Sequence, residues 1–195
     1  MLRRSYLKME KETMSTIDAD GWLHSGDQAV IDEDGFVKIT GRLKELIVTA
    51  GGENVSPVPI ENKIMELCPV IANCVVVGDK RKFLSCLISL KTEVNPLTGE
   101  PSDKLLSTVV EAIKKEGGSA TTLQEARNDE AVKKMVEAAI EGYNKVAISR
   151  AQEVRKWYLM ERDLSLGHGE LTATLKLKRS VVHQHYKKQI DSLYQ

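Results

Sequence analysis

Two adjacent glycines restrict this chain more than any other feature in it. Leu46-Ile47-Val48-Thr49 is an apolar, partly β-branched run that reads as a strand, and it stops at Ala50-Gly51-Gly52. Glycine has no Cβ and enters positive φ at no steric cost, so the chain leaves the strand there as a loop. Pro57 and Pro59 follow, ahead of Ile60, Ile64 and Leu67 at helical spacing. Proline suits a first helical turn and breaks an interior one, so the spacing predicts a helix from about Val58 that ends before Pro69. Val70 to Val77 and Phe83 to Leu90 are apolar runs divided by Gly78-Asp79-Lys80-Arg81, the mark of a second strand pair. Strand, loop, helix, strand, strand is an α+β order.

Upstream, Asp18 to Thr40 alternates turn signals with short apolar pieces and reads as a β-meander, with Asp34-Gly35 its clearest hairpin turn. The character of the sequence changes at Gly41 to Lys44, where a domain boundary is expected: residues 1–43 as a β-rich tail of one domain, 44–195 as another. Downstream, Asn95 to Gly99 is a turn-rich break, after which Ser102 is placed to cap a helix carrying Leu105, Leu106, Val109, Val110 and Ile113. Gly117-Gly118 ends it. A longer helix is expected from about Asp129, with Val132, Met135, Val136, Ala139, Ile140 and Tyr143 on one stripe. Together these form a helical insertion at about residues 100–150. Arg155 to Met160 reads as a strand, Gly167-His168-Gly169 as a loop, and Val181, Val182, His185, Tyr186 and Ile190 as one face of a last helix.

The chain has 195 residues, enough for one good core, and 42% of them are hydrophobic against 29% charged, which excludes wholesale disorder. Lys plus Arg and Asp plus Glu both number 28, so no global field draws it to nucleic acid or an anionic membrane. Cys68, Cys74 and Cys86 match neither paired metal spacing nor a disulfide framework, and are read as reduced core thiols of a cytoplasmic protein. The basic start, Met1 to Lys8, runs into charge with no apolar segment, so no signal peptide is expected. No apolar run reaches membrane-spanning length, which leaves only peripheral association with intracellular membranes. His183 and His185 invite a metal reading, but a spacing of two on a helix sends them to different faces, and no metal site is expected. His24 and His168 are likewise unsupported as catalysts, since no nucleophile or partner acid is legible as acting with them.

The tract Gly41-Arg42-Leu43-Lys44-Glu45-Leu46-Ile47-Val48-Thr49-Ala50-Gly51-Gly52-Glu53-Asn54-Val55-Ser56-Pro57-Val58-Pro59-Ile60-Glu61 resembles the hinge motif of the adenylate-forming enzymes. Before it, Gly21-Trp22-Leu23-His24-Ser25-Gly26-Asp27 resembles their ribose-binding motif. After it, Leu171-Thr172-Ala173-Thr174-Leu175-Lys176-Leu177-Lys178-Arg179 resembles their terminal lysine motif. The Gly-Gly-Glu-Asn-Val loop, the Lys156-Trp157 strand and the Glu161-Arg162-Asp163 turn look like the bubblegum-type long-chain acyl-CoA synthetases. The resemblance implies the small C-terminal domain of such an enzyme, a mixed sheet with helices and a helical insertion, preceded by the β-rich end of the large N-terminal domain.

The resemblance also implies roles. Asp27 would accept hydrogen bonds from the ribose hydroxyls of ATP, and Arg42 would reach the ribose and phosphate side; plainer readings are a turn residue and a surface ion pair. Lys44 matches the hinge position, where one residue's φ and ψ rotate the whole domain, or is a solvated strand end. Gly51, Gly52 and Glu53 would line the pantetheine tunnel of CoA, or form a plain tight turn. Lys176 would bridge the fatty acid carboxylate and the α-phosphate of ATP during adenylation. Lys178 and Arg179 read as the solvated face of a helix start. Pro59 stands where many members carry an acid, and Ala173 replaces a common proline.

ATP with Mg2+ and CoA are the implied requirements of an intact parent enzyme that joins them to a fatty acid, and none is expected to be held tightly by this chain. Neither GxxxxGK[ST] nor GxGxxG occurs, and the family's phosphate loop and acyl pocket are not legible here, so the chain alone is expected to be inactive. Two other readings stay open: a stand-alone interaction module built on residues 102–143, and an adenylating enzyme that loads a carrier protein.

Overall fold

The structure, a computed structural model, describes residues 6–195. The first five residues, part of the basic start considered above, lie outside the described residues. The chain divides into two compact units, one ending at Leu46 and the other Ile47–Gln195.

The first unit contains α1 (Glu10–Thr16), β1 (Asp27–Ile31) and β2 (Val37–Arg42), then a 3₁₀ turn, Leu43–Glu45. β1 and β2 form the expected antiparallel hairpin around Asp34-Gly35. The Asp32 carboxylate closes the turn by accepting the Asp34 and Phe36 N–H groups at 3.1 and 2.8 Å, and Gly35 takes φ +86°. The meander itself is shorter than expected. Trp22-Leu23-His24 makes only the isolated bridge Ile17↔Leu23, because the Asp18 carboxylate draws the Asp20 and Trp22 N–H groups into a local turn. Helix α1 carries no apolar stripe that would have announced it.

The second unit is built on a three-stranded sheet, order β5-β6-β9, from β5 (Ile71–Val77), β6 (Leu84–Leu90) and β9 (Val154–Leu159). β6 pairs antiparallel with β5 and parallel with β9, and all seven of its residues are buried. A strand covered on both faces reads as one continuous apolar run, which is why Phe83 to Leu90 is legible without alternation. The pleat then sorts the side chains into two cores. Cys74, Val76, Cys86, Ile88 and Leu90 pack with Ile60 and Ile64 of α2 (Pro57–Leu67) and with Val132, Val136 and Ile140 of a long helix described below. Val75, Val77 and Leu87 pack on the opposite face with Met160, Leu164, Val182, Tyr186 and Ile190. Each fully buried Ile, Leu or Val contributes about 1.5–3 kcal/mol, so both faces are needed to hold the sheet. The three cysteines are free and buried, and the neighbouring Cys86 thiol, with burial, pushes the Cys74 thiol well up.

Before α2, β3 (Ile47–Val48) pairs with β4 (Asn54–Val55) around the glycine loop. After β6 comes a correction. β7 (Thr92–Val94) and β8 (Pro101–Leu105) form a hairpin, and Ser102 lies in β8 instead of capping a helix. Thr92 pairs with Leu105 and both are buried, so strand pairing takes the residues that the apolar stripe had assigned to the helix. Helix α3 is accordingly Ser107–Lys115, ended by Gly117 at φ +83°. A one-turn helix, α4 (Leu123–Ala126), starts in a Thr122/Glu125 capping box, and α5 (Glu130–Asn144) is capped by the Asp129 carboxylate on the Ala131 N–H at 2.8 Å.

The last helix is two: α6 (Arg179–His185) and α7 (Lys187–Ser192), parted at Tyr186, whose φ −99° and ψ 19° leave the helical region. Val182, Tyr186 and Ile190 still face the second core together. Among the described residues no helix is long and apolar enough to cross a membrane.

Candidate functional site

In the first unit the hairpin brings Asp27 and Arg42 face to face. They are register partners at its open end, and Arg42 Nε donates to the Asp27 carboxylate at 3.0 Å. The Asp27 N–H donates to Ser25 Oγ at 3.1 Å and the Leu43 N–H to the Gly26 carbonyl at 2.8 Å, so backbone fixes both ends of the pair. Both side chains are partly exposed, so an acceptor-only carboxylate and a planar donor lie side by side at the surface. Lys44 is exposed in the 3₁₀ turn, two residues before the unit ends. Asp18 also holds His24, whose Nε2 lies 2.9 Å from Oδ2, so this histidine does have a partner acid.

In the second unit the glycine loop is a closed turn. Gly52 takes φ +81° and its N–H donates to the Thr49 carbonyl at 2.9 Å. Thr49 N–H donates to the Glu53 carbonyl at 3.0 Å, and Glu53 N–H donates to Thr49 Oγ1 at 3.2 Å. Gly51 is outside the left-handed region, so only one of the two glycines is conformationally required. The loop is docked from outside by the Ala50 N–H on the Arg81 carbonyl at 2.9 Å and by Ser149 Oγ donating to Glu53 Oε1 at 2.5 Å.

Lys176 is exposed on a second closed loop. The bridge Leu171↔Leu177 forms its neck. Both backbone groups of Lys176 are engaged by one residue: its N–H donates to Thr172 Oγ1 at 3.0 Å and its carbonyl accepts the Thr172 N–H at 2.8 Å. Leu175, just before the lysine, takes φ +58° although it is not glycine.

Below the neck sits Glu170, whose side chain is 0% exposed. It accepts two hydrogen bonds from Arg162, both at 2.7 Å, one from the Ser165 N–H at 3.2 Å, and lies 2.9 Å from His185 Nδ1. Arg162 and His185 outweigh burial and hold this carboxyl below its ordinary range. His168 Nδ1 lies 2.9 Å from Ser165 Oγ and 3.7 Å from the carboxylate of Glu100, an acid far from it in the chain.

Arg179 corrects the surface reading of the basic cluster. Its side chain is mostly buried, and its guanidinium donates to both carboxylate oxygens of Glu61 on α2. Neither Glu61 nor Glu170 was singled out as functional in the sequence. Glu61 carried one usable sign, a charge adjoining the Ile60 and Ile64 stripe; Glu170 carried none, since Arg162 and Ser165 reach it through the turn before it and His185 from the helix after it. His183 faces Arg179 and Asp79, and burial and then Arg179 push its pKa down, while His185 faces Glu170. Among the described residues no group of three or more His, Cys, Asp or Glu is placed to hold a metal ion.

The family of AMP-binding enzyme C-terminal domains matches residues 44–124. Over 191 residues the chain is 52% identical to long-chain-fatty-acid–CoA ligase ACSBG2 of Gallus gallus, an alignment that covers 97% of this chain and 25% of that protein. It is 50% identical to ligase ACSBG1 of Bos taurus over 192 residues, 97% of this chain and 26% of that one. These are the bubblegum-type enzymes, and the chain spans about a quarter of the length of the curated relatives it matches. Part of the adenylation domain of a carboxylate reductase from Mycobacterium chelonae is similar in fold, with a TM-score of 0.71 at 20% identity over 97% of this chain and 26% of that one.

Proposed function

We propose that this chain, whose residues 44–124 match the family of AMP-binding enzyme C-terminal domains, serves an ATP-dependent long-chain fatty acid–CoA ligase as the part that brings in the lysine and glycine loops. Residues 1–43 are the end of the large nucleotide-binding domain in this reading, residues 44–195 the mobile lid, and Lys44 the hinge. ATP enters as its magnesium complex, a substrate, and the protein works in the cytoplasm or at the periphery of intracellular membranes.

In the first step a fatty acid carboxylate oxygen attacks the α-phosphorus of ATP and the bond to pyrophosphate breaks. Lys176 places one ammonium between two anions and stabilises the charge that grows at phosphorus, while Asp27 and Arg42 hold the sugar. In the second step the CoA sulfur attacks the acyl carbonyl and AMP leaves, with the Gly51–Glu53 loop admitting the thin pantetheine arm. The observation that carries the reading is Lys176 itself, an exposed cation whose N–H and carbonyl are both fixed by Thr172.

The chain by itself, given ATP, magnesium, palmitate and CoA, should release little AMP, whereas the intact enzyme should make acyl-CoA. Robust AMP release by the chain alone, or an intact enzyme that acylates a carrier protein and not CoA, overturns the proposal.

A further inference from the structure

The segment between Lys91 and Arg150 takes no part in that chemistry, yet it begins and ends at the two loops that do. Near its start, the β7–β8 hairpin presents Glu100, whose Oε1 accepts the Gly167 N–H at 2.9 Å. A Cβ on Gly167 would lie 2.3 Å from that oxygen, an approach only glycine permits. Gly167 belongs to the turn at the foot of the lysine loop, where the Ser165 carbonyl accepts the Glu170 and Leu171 N–H groups at 3.1 and 3.2 Å. The Ser165 hydroxyl and then the Gly167 amide hold the Glu100 carboxyl below its ordinary range, so it is an anionic acceptor at neutral pH.

At the segment's other end stands Ser149, which donates to Glu53 Oε1 at 2.5 Å. The turn that carries Ser149 is held from α5. Tyr143 OH donates to the Gln152 carbonyl at 3.1 Å, and the Asn144 side chain both donates to and accepts from the Val154 backbone at 2.9 Å. Residues 145–153 are therefore tied to the helix before them and the strand after them. The same helix buries Val132, Val136 and Ile140 in the first core, where Leu105 of the β7–β8 hairpin also packs, so both contacts lead back to one packed body.

We propose that Glu100 and Ser149 are positioning residues, the first for the Lys176 loop and the second for the Gly51–Glu53 loop, and that residues 91–150 are a brace that sets both. This rests on the ligase reading of those loops. If the two hydrogen bonds serve stability alone, removing either one slows both half-reactions alike or neither; a brace separates them by step.

The experiment compares E100A, E100Q, S149A and S149T. In the intact ligase E100A should slow fatty-acid-dependent ATP–pyrophosphate exchange about tenfold and leave attack of CoA on supplied acyl-adenylate within about twofold. S149A should do the reverse. E100Q keeps an acceptor oxygen and S149T keeps the hydroxyl, so both should recover most of the lost rate. On the 195-residue chain alone, hydrogen exchange should quicken over 165–177 in E100A and over 49–54 in S149A, each without the other. Equal loss in both half-reactions, or unchanged exchange in both segments, overturns the brace. An intact protein that makes no acyl-CoA removes the ligase reading, and the exchange measurement still decides whether the brace exists.

Discussion

Arg179 and Glu61, 118 positions apart, meet in a two-pronged ion pair: Nη1 donates to Oε1 at 2.6 Å and Nη2 to Oε2 at 3.0 Å. The Val76 N–H also donates to Glu61 Oε1, at 2.7 Å, so the carboxylate binds an arginine and a sheet strand at once. Two motifs that are far apart in the chain are thereby one structure. The helix that follows the glycine loop is fastened to the helix that follows the lysine loop. The side chains are 13% and 7% exposed, so this pair is shielded from the solvent that makes surface pairs weak.

R179A leaves a carboxylate buried without its cation and should cost about 3–5 kcal/mol of stability. R179M with E61M removes both charges and keeps most of the volume, and should cost far less than the two single changes summed. Urea unfolding of the four proteins checks this. Additivity within about 0.5 kcal/mol would mean that the pair is not coupled.

Leu175 stores strain beside the lysine. Its φ of +58° costs a residue with a Cβ roughly 1–2 kcal/mol, and its side chain is 73% exposed, so burial returns little of it. L175G should raise the stability of the chain by about 1 kcal/mol and yet, in the intact ligase, lower adenylation if Lys176 acts as proposed, because the freed backbone no longer aims it. Thermal unfolding and ATP–pyrophosphate exchange move in opposite directions if this is right, and K176A sets the floor for the second.

What the sequence made legible divides along physical lines. β5 and β6 were plain because sheet strands covered on both faces leave long apolar runs, and α5 because Asp129 caps a stripe that keeps one period throughout. Ser102 misled because a cap signal is local while the Thr92↔Leu105 pairing that overrides it spans a hairpin. Tyr186 misled because a residue can leave helical dihedrals while its ring stays on the buried stripe. Of the proposed site, Asp27, Arg42, Gly52 and Lys176 stand in short motifs that the sequence displays. Their supports, Glu61 with Arg179, Glu170 with Arg162 and Ser149 with Glu53, are made by packing across the fold or around a turn and leave no periodic trace.

The glycines of the loop should not be equivalent. Gly51 is outside the left-handed region and a Cβ there meets only Thr49 Oγ1 at 3.8 Å, ordinary contact. Gly52 has open space around it but φ +81°. G51A should therefore change stability by under about 0.5 kcal/mol, and G52A should lose about 1 kcal/mol or more by strain alone. In the intact enzyme G52A should slow thioester formation and spare adenylation, since the lysine loop hangs on separate anchors. Half-reaction assays in which G52A strikes adenylation first would contradict this.

Two buried phenols should make the second unit sensitive to alkali. Burial pushes Tyr143 and Tyr186 each up to about 12. An unfolded tyrosine ionises near 10, so between about pH 10 and 12 the unfolded chain has released protons that the folded one still holds. Stability is full below that window and falls as pH rises through it, by roughly 2–3 kcal/mol per tyrosine at its upper end. Y143F gives up a hydrogen bond to the Gln152 carbonyl and should begin about 1 kcal/mol less stable at neutral pH, then lose less on the way to pH 12. Y186F should flatten the same limb. Urea midpoints at pH 8, 10 and 11.5 measure the slopes, and equal slopes for wild type and both variants would show that these rings are not the groups responsible.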